Sequence, residues 1–228
     1  MSHEFNAELA ELVRGAAALA PLISPPAWAA AEHPRPGLAF DAPADRAAWI
    51  QLGVTIEAID VAGSATGLAF SVDPYANAQP LPVIATATTM SMSAHRLAAC
   101  LKRRVESFRA TPLRLAAHVS ARLAGAAALH DCSLGWFESS AALAELAAAL
   151  PARDLPPGAS AVGVVSIARD ERGGLMRGGR AACRVWLEAV SLGLAVQPVP
   201  SLDAATLIAA DLQIDGALIA ALAFGTAA

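Results

Sequence analysis

Arg172 to Pro200 reads RGGLMRGGRAACRVWLEAVSLGLAVQPVP, and its spacing decides the fold. Leu175, Met176, Gly179, Ala182, Cys183, Trp186, Leu187 and Val190 recur at three- and four-residue steps, which predicts a helix with these residues along one side. Arg177, Arg184 and Glu188 fall on the opposite side, where Arg184 and Glu188 are spaced to pair. Gly193 can take the left-handed conformation that ends a helix, and Leu194–Val199 reads as the strand that follows. Small residues at Gly179 and Ala182 let another backbone or a flat ligand come close. Periodicity marks burial and not chemistry, so the same pattern also reads as a core helix with an ordinary stop.

Within this stretch the run GGRAACRVWLEAVSLGLAVQPV resembles the late helix-and-strand segment of the nitroreductase family, whose pattern is G-R-x-x-x-R-V-W-L-E-A-x-x-L-G-L-A-x-x-P. It is most similar to the divergent bacterial branch of that family. The resemblance implies an α+β fold, a three-layer α/β/α sandwich with a central mixed, largely antiparallel sheet and a long buried central helix, formed by residues 1–228 as a single domain. It further implies a homodimer with FMN at the subunit boundary, NAD(P)H as electron donor and a small-molecule acceptor.

Composition sets the outer bounds. The 228 residues, 56% of them hydrophobic, suffice for a sizeable core. A net charge of −4 supplies no global basic field for nucleic acid or anionic lipid. Cys100, Cys132 and Cys183 are odd in number and lack a C-x-x-C spacing, which argues against a disulfide framework or zinc knuckle and points to a reducing cytoplasm. The N-terminal MSHEFNAELAELVRG mixes acids with apolar residues, unlike a secretory signal, and no uncharged apolar run is long enough to span a membrane.

Along the chain, Asn6 caps a first expected helix through Leu19, which the prolines at 21, 25 and 26 end. In the resembled family the next segment usually reads A-P-S-x-x-N-x-Q-P-W and helps hold the flavin. Here Ala20, Pro21 and Trp28 match, Ser24 is the hydroxyl between them, and the Asn is missing. A short strand around Gly37–Phe40 leads to Asp45, the N-cap of a long helix from Arg46 to about Thr66, closed by Gly67. That helix is apolar nearly all round, so it needs cover on more than one side. The resemblance supplies the cover from a second copy; a helix sandwiched inside one chain is the alternative.

Leu68–Val72 and Val83–Thr89 read as strands around a turn at Asp73–Asn77. Arg103, Arg104 and Arg109 resemble the family's R-x-x-x-R segment, in which a guanidinium fork meets a phosphate; on pattern alone a solvated helix face paired by Glu106 is the stronger reading. His95, His118 and His130 lack partners at metal-ligand spacing, so no metal site is expected. Ser139–Leu150 reads as a capped helix, Ala161–Ala168 as a buried central strand, Asp203–Leu212 as another capped helix and Ala217–Phe224 as a final strand. After that strand the family carries an arginine-bearing tail, which the quoted sequence does not reach.

The residues that the resemblance nominates for FMN are Ser24, Arg103, Arg104, Gly178, Gly179 and Arg180. Neither a P-loop nor a G-x-S-x-G elbow is present, and no catalytic acid or base stands out. Three functions stay open: an FMN-dependent oxidoreductase, a flavin-free relative serving as a binding or scaffold module, and a binder of another phosphorylated small molecule using the same arginines.

Overall fold

The computed structural model describes residues 37–40, 44–75, 81–101, 108–109, 114–151, 154–209 and 213–227. The helix expected after Asn6, together with Ser24, Trp28, Arg103 and Arg104, lies outside them. In chain order the elements are β1 (Gly37–Phe40), α1 (Arg46–Ser64), β2 (Leu68–Val72), β3 (Leu81–Ala87), α2 (Met92–Cys100), α3 (Ala117–Ala128), β4 (Ser133–Phe137), α4 (Ser140–Ala149), β5 (Ala161–Ile167), α5 (Arg172–Ser191), β6 (Leu194–Pro198), α6 (Ala204–Ala209) and β7 (Ala217–Thr226). This is the α+β class that the sequence predicts. The strands divide between two sheets, β1-β3-β2 and β4-β5-β7-β6, and every pairing among the described residues is antiparallel.

Two compact units emerge: Met1–Lys102 with Glu171–Cys183, and Arg103–Asp170 with Arg184–Ala228. In the first, α1 begins where Asp45 accepts the Ala48 N–H at 2.8 Å, satisfying one of the free donors of the first turn. Every residue from Trp49 to Ile59 is buried. The second apolar face expected to meet another copy is therefore covered within one chain, which removes the physical reason for placing α1 at a homodimer boundary. Gly67, at φ 85°, closes the helix turn and accepts the Thr88 N–H at 2.8 Å, feeding β2 against β3. Strand β3 starts two residues before its expected position because Leu81 and Pro82 pair with Phe40 and Ala39 of β1.

In the second unit β5 is buried at every position and lies between β4 and β7, as its unbroken apolar run predicts. The edge strand β4, SLGWF, has no counterpart in the sequence reading, since five residues centred on Gly135 give little alternation. Under β5, Gly163 leaves room for two rings: a methyl there would lie 2.8 Å from Phe224 and 3.1 Å from Trp136, whose ring centroids are 5.2 Å apart. Helix α4 starts on Ser139, whose hydroxyl accepts the Ala142 N–H at 3.1 Å, and buries Leu146 against Leu150, Val162, Val164 and Leu207. Asp203 caps α6 by accepting the Thr206 N–H at 2.7 Å and its hydroxyl at 2.8 Å.

Helix α5 contributes its first part to one unit and its last part to the other. The predicted face from Leu175 to Leu187 is buried, and so are Ala181, Val185 and Ala189, which widens the buried surface beyond a single stripe. Glu188 meets a cation from α3, where Arg122 Nη2 lies 2.9 Å from its carboxylate. Gly193, at φ 78°, ends the helix as expected.

Candidate functional site

Helices α1 and α5 approach closely because glycine replaces a side chain on each at the crossing. A Cβ on Gly53 would fall onto the backbone carbonyl of Met176, and one on Gly179 onto the carbonyl of Ile50. Of the two uses open to Gly179, accommodation of a backbone or of a flat ligand, the structure shows the first.

Beside the crossing, Glu57 and Asp60 stand three residues apart on α1 and so share a face, which Arg180 meets from α5. Arg180 Nε donates to Glu57 Oε2 at 2.9 Å and Nη2 donates to Asp60 Oδ2 at 2.8 Å. The remaining oxygen of Asp60 accepts the Phe70 N–H at 2.9 Å, so the cluster ties α1, α5 and β2 together. With Glu57 only 1% exposed and Arg180 19%, these are charge-assisted bonds largely out of water, and each charge depends on the others for its solvation.

At the amino end of α5 an arginine meets an aromatic ring. The Arg172 guanidinium carbon lies 5.7 Å from the centroid of the Trp49 ring, within cation–π range. Tyr75 packs against Gly173, where a Cβ would come within 2.7 Å of its hydroxyl. The first turn of a helix presents free N–H groups and the positive end of its dipole, so this end suits an anionic, ring-bearing ligand. On α1, Gln51 is 7% exposed and its amide Nε2 has no hydrogen-bond partner among the described residues. One turn on, Thr55 is satisfied by donating to the Gln51 carbonyl at 3.0 Å. A buried unpaired donor costs about 1–3 kcal/mol, and a ligand acceptor would recover it.

Of the nominated FMN residues, the structure brings Gly178, Gly179 and Arg180 together on a buried stretch of α5. An arginine grips a phosphate through two parallel N–H donors, yet Arg180 Nε and Nη2 are already committed to carboxylates, and the space beside Gly179 is filled by backbone. These two residues do not fit the group. Arg172, Trp49, Tyr75 and Gln51 went unnoticed in the sequence because no motif links them; Trp49 and Gln51 look like ordinary members of an apolar helix. Among the described residues no cluster of His, Cys, Asp or Glu could hold a metal ion, His95 and His118 are exposed, and no helix is long and apolar enough to cross a membrane.

No protein-family model and no curated protein matches the chain. Solved structures do. The structure of B. megaterium NfrA2 is similar at a TM-score of 0.50 with 10% identity, over 58% of this chain and 67% of that one. The NADPH:FMN oxidoreductase from Vibrio harveyi complexed with NAD+ gives 0.46 with 16% identity, over 58% and 69%. The FMN-dependent nitroreductase NfnB from Mycobacterium smegmatis in complex with NADPH gives 0.47 with 15% identity, over 59% and 87%. The mixture of helices with antiparallel strands and the long buried helix agree with what the R-V-W-L-E-A stretch implied, although the described strands form two sheets where one central sheet was expected, and the chain has a nitroreductase-like fold.

Proposed function

We propose that the protein is an FMN-dependent oxidoreductase of nitroreductase type, drawing hydride from NAD(P)H and passing electrons to a small acceptor. The observation that carries this reading is the buried, unpaired amide of Gln51, a donor suited to a carbonyl of a planar ligand. Arg172, Trp49 and Tyr75 at the amino end of α5 support an anionic, aromatic ligand in the same chain. FMN, when bound, supplies the redox chemistry; the protein holds and orients it. Ser24, Arg103, Arg104 and the backbone at Gly178 are the proposed further contacts, and an odd number of cysteines with no C-x-x-C spacing suits a reducing compartment such as the cytoplasm.

A second reading has its own support. The engagement of Arg180 by Glu57 and Asp60 and the filling of the space at Gly179 favour a flavin-free binding or scaffold protein with the same fold. Titration of the purified protein with FMN separates the two. Saturable quenching of flavin fluorescence, yellow colour retained after desalting, and weaker binding in Gln51→Met support the oxidoreductase. Absence of binding at high micromolar FMN discards it in favour of the scaffold.

A further inference from the structure

The geometry points to an internal duplication: one β-α-β-β unit occurs twice in this chain, and the two copies are each other's partner across the α1–α5 crossing. The first copy is β1, α1, β2 and β3, with sheet order β1-β3-β2; the second is β5, α5, β6 and β7, which pair in the matching order β5-β7-β6. A constant step of 126 residues takes Arg46, where α1 starts, to Arg172, where α5 starts, and takes Leu68, the first residue of β2, to Leu194, the first of β6. The same step takes Gly67 to Gly193, the left-handed residues that follow the two helices, at φ 85° and 78°.

Individual hydrogen bonds obey the step as well. Trp49 N–H donates to Asp45 O as Leu175 N–H donates to Glu171 O, and Thr66 N–H donates to Gly63 O as Leu192 N–H donates to Ala189 O. Register agrees: Ser71 pairs with Ile84 and Gln197 with Ala223, while Val72 pairs with Val83 and Pro198 with Leu222. On the other side of the central strand, Leu38 pairs with Val83 and Gly163 with Leu222.

The crossing is reciprocal under the same step. Gly53 opens onto the Met176 carbonyl and the Arg180 nitrogen; Gly179 opens onto the Ile50 carbonyl and the Val54 nitrogen. Ile50, Gly53 and Val54 map onto Met176, Gly179 and Arg180, so each helix makes on the other the contacts it receives. Self-complementary contact of this kind defines a two-fold interface. Here both sides belong to one chain, which leaves α1 no face for a second copy. The inference goes beyond the flavin reading and does not depend on it.

Sedimentation and thermal unfolding of the full chain test it. The expected result is a 23.2 kDa monomer whose unfolding midpoint does not move over roughly a hundredfold range of concentration. Gly53→Ala and Gly179→Ala should each lower that midpoint by comparable amounts, about 2–12 °C. A dimer whose midpoint rises with concentration and whose assembly weakens in Gly53→Ala would overturn the inference, and so would tolerance of alanine at one glycine but not at the other. Should either variant fail to fold, the concentration series on the unaltered chain still decides.

Discussion

Arg180 shows how one side chain can be claimed by structure when its pattern suggests a ligand. Its place in G-G-R at the head of the R-V-W-L-E-A run nominates it for a phosphate, yet its partners Glu57 and Asp60 lie on a distant helix that the sequence reads only as apolar. Nothing in local spacing reveals a carboxylate more than a hundred residues away, so the pairing was illegible. Arg180→Met would leave Glu57, 1% exposed, without this partner. Breaking a buried pair from one side costs about 3–5 kcal/mol, and urea denaturation should register a loss of that order. A loss well under about 1 kcal/mol would show that the cluster behaves as a solvated surface pair.

At the scale of elements, caps and stops were the most legible features because their chemistry is local. Asp45, Ser139, Asp203, Gly67 and Gly193 all sit where the sequence puts them. Strand β4 and the early start of β3 were missed for the converse reason: their pairing with β5 and β1 is settled by partners far along the chain. Asp203 carries a pH dependence. The Thr206 N–H, and after it the Thr206 hydroxyl, hold its carboxyl below the ordinary value of 3.8. A depressed folded-state value means that the cap contributes fully above the unfolded-state pKa and is lost as pH falls through the folded one. Helix α6 should therefore stay capped at neutral pH and fray only in acid below 3.8, and an NMR titration of Asp203 should give an apparent pKa under that figure. A value above it would mean that the cap is not formed in solution.

Over the whole molecule, the class of fold was readable from the alternation of helix and strand patterns, and the α5–β6 segment carried the resemblance. The repeat was not, because the stretches 46–72 and 172–198 keep the same residue only at Arg46, Gly53, Gly67, Leu68 and Ala69 and their counterparts. Backbone geometry has been retained where side chains have changed. Burial predicts the order of opening: β5, buried throughout and paired on both sides, should hold the slowest-exchanging amides of its sheet, and the edge strand β4 should exchange sooner. Faster hydrogen exchange in β5 than in β4 would contradict that core assignment.

The carboxylate cluster beside the crossing has no echo at the matching positions, where Glu57, Asp60 and Arg180 correspond to Cys183, Trp186 and Val54. Two separate but identical polypeptides would be forced to carry every replacement twice, once on each side of their axis. Joined end to end, the halves are released from that obligation, and either can specialise while the other goes on serving as its mould.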